Sequence, residues 1–415
     1  MKVLIAAASF SRNISGVERH ALNLARSLLM RQEIAELHFV VGPWQGNLML
    51  HAGPSHDFRL RTHVADMSQS RMGRNYWYYR RLPELAAQIQ ADIVHYSFPM
   101  PLNVGAFHCP TVMTLHDLYP YEIPMNFGFP KFFFNRIVLR QCLRAADAIS
   151  CVSDATRLRL KQYAPAEVWR KAVRIYNYVE PAPAAEVAPP ISGWKGEPFL
   201  LCIAQHRRNK NIPTLIRAFD RMLRFGWIDG DSKLVIVGIR GPDTAKILQL
   251  ANQPAIHGRI HFLEGLPEPE LQWCYQHCEA LVSPSLTEGF GAPVAEGIMA
   301  GCRIVCSDIP AHREIGDEFC RFVALNQNPV ETLSAVISDA LNEPKPGSRA
   351  LPQMSAAAQA EQFVALYRTL IDAGAPVGTR DADDATAVAN PEVAAATFPD
   401  GQSALAYRGS KYGSA

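Results

Sequence analysis

Short apolar runs alternate with amphipathic, helix-periodic segments along both halves of the chain, and a proline-rich stretch separates the halves. In the first half Lys2–Ala8, His38–Val41, Ile93–Tyr96, Thr111–Leu115 and Ala148–Val152 read as strands, and Val17–Met30 reads as a helix. In the second half Phe199–Ala204, Lys233–Val237, Ile260–Leu263, Ala280–Ser283 and Arg303–Cys306 read as strands. Ile212–Phe225, Glu268–His277 and Ala292–Ala300 read as helices between them. Runs that are apolar throughout fit strands covered on both faces, and strand–helix alternation joins such strands into parallel sheets. The stretch Val179–Pro198, with VEPAPAAEVAPPISG, has too much proline for either element and reads as an extended linker. A chain of 415 residues exceeds one ordinary core. The expected class is therefore α/β, with two Rossmann-like domains facing each other across an interdomain cleft. Ligands of open α/β sheets sit outside the carboxyl ends of the strands.

The formal charge of +2 sets up no global field for nucleic acid, so none is expected as a partner. The nine cysteines are odd in number and scattered, which reads as reduced thiols in a cytoplasmic protein. Cys274/Cys278 and Cys302/Cys306 read as small buried hydrophobes rather than zinc ligands. The start, MKVLIAAASF, reads as a buried strand rather than a signal peptide, and no stretch is long enough to span a bilayer.

The segment Ser283–Gly301, SPSLTEGFGAPVAEGIMAG, starts at a strand end. Gly289 and Gly291 permit a tight loop, and Pro293 suits the first turn of a helix. Free amides at a helix start favour phosphate or sugar hydroxyls. Glu288 in the loop and Glu296 in the helix suit two different hydroxyl pairs of an extended ligand. Taken alone, these residues describe an anion-friendly turn. The whole pattern resembles the donor-binding signature of the retaining family 4 glycosyltransferases, which have the GT-B fold. The resemblance implies that Glu288 contacts the transferred sugar and that Glu296 holds the nucleotide's ribose. It also implies that the amides of Gly289, Phe290 and Gly291 face the sugar and phosphates.

The resemblance extends over about the first 370 residues. HRRNKNIPTLIRAF, from His206 to Phe219, resembles the family's basic loop, in which Lys210 and either Arg207 or Arg208 neutralise the leaving diphosphate. Asn209 splits the usual Arg-Lys pair. Arg259–Tyr275 resembles the base cradle, with backbone contacts around Gly265, Leu266 and Pro267. TLHDL, Thr114–Leu118, resembles the HD motif: His116 would hydrogen-bond a sugar hydroxyl and help stabilise charge in the transition state, and Asp117 would orient it or meet the acceptor. Ser11–Arg19 resembles the Gly-rich first loop, where Gly16 lets the donor phosphate approach a helix N-terminus and Ser15 replaces a second glycine. Asn177-Tyr-Val-Glu180 stands where relatives have Asn-Gly-Val-Asp, so a different hinge is expected.

These readings place an N-terminal acceptor-side domain at 1–180, a linker at 181–195 and a nucleotide-sugar domain at 196–354. A helix at 355–373 crosses back to the first domain, and 374–415 is a disordered tail. The implied reaction moves a hexose, with mannose as the guess, from a nucleotide-diphosphate sugar to a saccharide or lipid-linked acceptor with retention. Bacterial surface polysaccharide synthesis is the expected context. No metal and no cofactor beyond the nucleotide-sugar co-substrate are expected, and Asp229-Gly-Asp231 reads as a turn rather than a metal motif. Arg71–Arg81 and Phe127–Arg144 mix aromatics with arginines. They could touch a lipid surface at the inner face of the membrane or bind a phosphate-bearing acceptor, but packing of the aromatics into the first domain is the favoured reading. The alternatives are a nucleotide-sugar epimerase of the same fold and a non-catalytic nucleotide-sugar-binding protein.

Overall fold

A computed structural model describes residues 1–10, 15–45, 57–127, 131–180 and 187–374. Parts of four expectations lie outside the described residues: 11–14 of the first loop, 128–130 of the second aromatic segment, 181–186 of the linker and 375–415 of the tail.

The apolar runs form two sheets in which every described pairing is parallel. The first contains β1 (Lys2–Ala6), β2 (Glu36–Val41), β3 (Leu60–Val64), β4 (Ile93–Tyr96), β5 (Thr111–Leu115), β6 (Ala148–Cys151) and β7 (Ala172–Arg174), in the order β3-β2-β1-β4-β5-β6-β7. The second contains β8 (Phe199–Ile203), β9 (Lys233–Val237), β10 (Ile260–Leu263), β11 (Ala280–Ser283), β12 (Ile304–Ser307) and β13 (Arg321–Val323), in the order β10-β9-β8-β11-β12-β13. Each order reverses once, at β1/β4 and at β8/β11. Such a switch point opens a crevice at the carboxyl ends of its strands. The basic loop leaves β8 and the Glu288 loop leaves β11, so the topology delivers both to one crevice.

Central strand β5 is buried along its whole length and β1 at every residue after Lys2, which is why they read as continuous apolar runs. Helix α1 (Gly16–Leu29) packs Ala21, Leu24 and Leu28 against this sheet. The helix Ala356–Asp372 returns to the same surface. Its buried stripe runs through Phe363, Val364 and Tyr367, with Leu366 and Leu370 at the margin rather than the centre. Polar bonds fix it there: Ser27 Oγ donates to Gln359 Oε1 at 3.0 Å, and His95 joins Tyr367 Oη at 2.5 Å and Thr114 Oγ1 at 2.7 Å.

The packing reading of the aromatic segments holds for only part of them. Trp77 and Tyr78 enter the first core, with the Tyr78 hydroxyl donating to the Ala8 carbonyl. The helix Lys131–Ala145 buries Leu139, Cys142 and Leu143 instead of its aromatics. Phe133 and Phe134 are 54% and 58% exposed, and Ile137 is 49% exposed. The reason is geometric. Leu139, Cys142 and Leu143 form an i, i+3, i+4 set that takes the core face, and this rotates Phe133 and Ile137 outward.

Asp229 accepts a hydrogen bond from the Asp231 amide at 2.9 Å, a side-chain-to-backbone turn. Eight of the nine cysteines are buried, and the Cys278 and Cys302 sulfurs lie 3.9 Å apart as free thiols.

Candidate active site

Lys210 and Glu288 meet at the β8/β11 switch point. Asn211 adopts φ 52° immediately after Lys210, a left-handed turn that asparagine tolerates better than most residues, and the helix Ile212–Arg224 begins there. The turn presents Lys210 Nζ to Glu288 Oε1 at 2.5 Å. Ser285 Oγ donates to the same oxygen at 2.7 Å, and Tyr119 Oη donates to Oε2 at 3.2 Å. Burial opposes ionisation of Glu288, yet Lys210, the nearby His312 ring and the Ser285 hydroxyl hold its carboxyl below the usual range. The result is a buried, ionised carboxylate against a cation.

Tyr119 belongs to the first half and Glu288 to the second, so this bond crosses between them. Asn209, fully buried, donates to Tyr119 Oη at 3.1 Å and accepts from Asn126 Nδ2 at 3.0 Å. The residue that splits the expected Arg-Lys pair is therefore part of the crossing network. The Gly289 carbonyl accepts from Ser153 Oγ and from Thr156 Oγ1, the latter at 2.9 Å. Arg159 joins Glu122 at 2.9 Å and donates to Thr287 Oγ1 and the Glu288 carbonyl. Glu314 reaches the opposite way and accepts the Asp154 and Ala155 amides at 2.7 and 2.8 Å, supplying partners for open N–H groups of the helix Asp154–Tyr163.

Glycine is required twice in the signature loop. Gly291 has φ 97° and caps the helix Ala292–Ala300, with Pro293 in its first turn. A Cβ on Gly289 would stand 1.6 Å from the His116 carbonyl oxygen. Phe290 is buried in the second core.

His116 follows β5. Its Nε2–H donates to the Ser97 carbonyl at 2.8 Å, so Nδ1 carries the lone pair. Burial pushes the imidazole down to about 4, so the ring is neutral at physiological pH, and it packs edge-on against the His20 ring with centroids 4.8 Å apart. Asp117 does not orient it: its Oδ1 accepts the Tyr119 amide at 3.0 Å and so starts the short helix Tyr119–Glu122. Burial pushes the Asp117 carboxyl up to about 6, against the pull of the Tyr119 amide and Arg207. Both arginines thus meet the first half, Arg207 at Asp117 and Arg208 at Met125. Arg208 is exposed and points Nη1 at Met125 Sδ, 3.4 Å away.

Glu296 lies three residues, just under one helical turn, beyond Pro293. Tyr275 Oη donates to its Oε2, and Arg19 from α1 lies 3.8 Å from its Oε1. Gly265, at φ 65°, and Leu266 precede the helix Glu268–His277 that carries Tyr275. Gly16 begins α1, where the Ser15 amide donates to Glu18 at 3.1 Å. Tyr178 has no positive φ, and its carbonyl accepts from Asn23 at 3.3 Å.

The structure thus gathers Lys210, Glu288, His116 and Asp117 along one seam, with Glu296, Gly265 and Leu266 further along the second half. Sequence reasoning missed Tyr119, Asn209, Arg159, His312, Glu314 and Arg19. Tyr119, two residues beyond Asp117, was within reach of the motif. Asn209, Arg159, Glu314 and Arg19 have no local pattern, because their partners lie across the seam. The partners of His312, which are Ser283 and Ser307, are distant in sequence or reached only through the fold.

Two facing parallel sheets whose strand-end loops meet in this way make up the GT-B fold. The chain belongs to the glycosyltransferases of group 1 and family 4: the model described as Glycosyltransferase Family 4 matches residues 14–182, and that described as Glycosyl transferases group 1 matches 186–359. It is 26% identical to the O-antigen chain mannosyltransferase B of Escherichia coli, over 88% of this chain and 96% of that protein. It is 24% identical to the O-antigen chain mannosyltransferase RfbU of Salmonella typhimurium, over 53% of this chain and 56% of that protein. Among solved structures it resembles Anabaena HepE, determined with UDP and glucose, at TM-score 0.62 and 16% identity over 90% of this chain and 99% of that one. It also resembles WaaG, a glycosyltransferase involved in lipopolysaccharide biosynthesis, at TM-score 0.61 and 17% identity over 92% and 100% of the two chains. These structural likenesses bear on the fold.

Proposed function

We propose that the protein moves a hexose, mannose in the first instance, from a nucleotide-diphosphate sugar to a saccharide or lipid-linked acceptor with retention of anomeric configuration, in bacterial surface polysaccharide synthesis. The observation that carries this reading is the Lys210–Glu288 pair, bridged by Tyr119 to the half that bears His116. The O-antigen mannosyltransferases among the relatives support the choice of sugar and context. Glu288 and the His116 Nδ1 lone pair would accept sugar hydroxyls. As the bond from C1 to the diphosphate oxygen breaks, its electron pair goes to that oxygen, where Lys210 and Arg207 offset the charge. The acceptor oxygen bonds to C1 from the same face and gives its proton to the departing diphosphate. Glu296 would hold the ribose, the backbone at Gly265 and Leu266 the base, and Gly16 the approach of the phosphates. Catalysis through Arg and Lys needs neither metal nor cofactor.

A thermal-shift screen with GDP, UDP, ADP and their sugars tests the donor class, since a ligand of the folded state raises its stability. GDP-mannose should raise Tm by several degrees. Incubated with acceptor it should give an α-linked product, and incubated alone it should give no epimer. A product of inverted configuration would overturn retention, and a shift confined to UDP- or ADP-sugars would overturn the mannose assignment.

The exposed face of the helix Lys131–Ala145 favours a peripheral contact with the inner membrane face. Phe133, Phe134 and Ile137 offer apolar area, and Arg140 and Arg144, exposed on the same stripe, offer positive charge. Among the described residues no helix is long and apolar enough to cross a membrane. The protein should float with vesicles containing anionic phospholipid and not with neutral ones. Changing Phe133, Phe134 and Ile137 together to Ser should abolish flotation, and unchanged flotation of that variant would refute the assignment.

A further inference from the structure

Arg19 stands in the first turn of α1, in the half opposite Glu296, yet its guanidinium lies between two acids of the second half. Nη1 is 3.0 Å from Glu268 Oε2 and 3.8 Å from Glu296 Oε1. The two acids come from different helices: Glu268 opens Glu268–His277, and Glu296 lies inside Ala292–Ala300. Without a cation between them, two carboxylates would face each other beside a partly apolar wall. Tyr275 already donates to Glu296 Oε2. At 3.8 Å, Arg19 is close enough for ion pairing but beyond hydrogen-bonding distance of Oε1. The lone pairs of Oε1 therefore stay open to an incoming hydroxyl, while the tighter bond to Glu268 fixes the guanidinium.

We propose that Arg19 is a positioning residue for the donor's ribose, crossing from the first half to hold Glu296 in place without occupying the oxygen that receives the hydroxyls. The proposal rests on the reading of Glu296 as the ribose acid. It differs from the phosphate role of Lys210 and Arg207, because Arg19 acts on the nucleotide through a carboxylate and not by direct contact. The groups facing Glu296 are Arg19 from α1, and Tyr275 and Glu268 from the adjoining helix. Burial raises the Glu296 carboxyl and Glu268 raises it further, while Arg19 and the Tyr275 hydroxyl lower it. Losing Arg19 therefore moves the carboxyl upward, and more of it is protonated at a given pH. A protonated acid has lost acceptor capacity for a diol, so binding falls at low pH and returns as pH rises.

Calorimetric titration of the full-length protein with GDP, UDP or ADP, whichever binds wild type, and with its 2′,3′-dideoxy counterpart tests this. Arg19→Ala should weaken the ribonucleotide about tenfold at the low end of the accessible pH range and recover toward wild type as pH rises, the direction set by losing one close opposite charge. The dideoxy nucleotide should bind both proteins equally, Arg19→Lys should retain most of the affinity, and in turnover KM should change more than kcat. Equal ribonucleotide binding by Arg19→Ala and wild type overturns the proposal, as does an equal loss for both nucleotides. Glu296→Gln separates the two readings. If it no longer distinguishes ribo from dideoxy, Glu296 is the ribose acid whatever Arg19 does. If it distinguishes them as well as wild type, the ribose reading itself fails.

Discussion

Glu288→Gln is expected to lower kcat/KM for sugar transfer by two to three orders of magnitude or more while the protein stays folded. The figure of about 10²–10³ is typical for removing one preorganised charged partner from an active site. Glutamine matches glutamate in shape. Its carbonyl can face Lys210 and Ser285, and its amide can donate to Tyr119, whose hydroxyl turns to accept. Lys210→Ala should abolish transfer equally, but its cost in stability differs. It strands an ionised carboxylate in a buried site, a change that costs on the order of 3 kcal/mol. Combining Lys210→Met with Glu288→Gln removes both charges, so thermal stability should return toward wild type while activity stays lost. Transfer at wild-type rates by either purified single variant would refute the site. A double variant no more stable than Lys210→Ala would refute the account of the pair's electrostatics.

Gly289→Ala is the second large effect, and it acts through space rather than charge. The new methyl would lie 1.6 Å from a backbone oxygen of the opposite half, so no side chain can swing aside to admit it. Relief requires the signature loop to retreat from the first half. That movement breaks the bonds from Ser153 and Thr156 to the Gly289 carbonyl and pulls Glu288 from Tyr119. Displacing a catalytic group by about 1 Å can cost on the order of 100-fold in rate. A loss of at least that size is expected, with an increased radius of gyration in small-angle scattering. Gly230→Ala is the matched control, because its Cβ meets nothing within 4 Å, and it should behave as wild type. Full activity in Gly289→Ala would show that the halves do not work in the arrangement described.

Much of the fold could be read from the sequence because central strands of parallel sheets are apolar throughout. Ile93–Tyr96, Thr111–Leu115, Lys233–Val237 and Ala280–Ser283 match their apolar runs residue for residue. Three of the four edge strands escaped notice for the converse reason, Ile260–Leu263 being the one that was read. Leu60–Val64 is half-exposed and carries Arg61, Thr62 and His63, and Arg321–Val323 has only three residues. Loops attached to one strand end were legible as motifs, hence Lys210, Glu288 and His116. Contacts whose two sides come from different halves were not, because neither Arg159 nor Glu314 has any local reason to matter. The helix Lys131–Ala145 shows the limit of composition. Its aromatics predicted burial, but the spacing of Leu139, Cys142 and Leu143 decided which face turned inward.

The return of the helix Ala356–Asp372 to the first sheet has a consequence for biosynthesis. The second half is, in effect, inserted into the first. Chains generally begin folding from the N-terminus as they leave the ribosome. Here Val3, Ile5 and Phe39 share a core with Phe363, Val364 and Tyr367. The earliest strand to emerge therefore waits for the last described helix before the face it shares with α1 is fully covered. Until then the nascent chain carries an apolar surface that the whole second half must be synthesised to close.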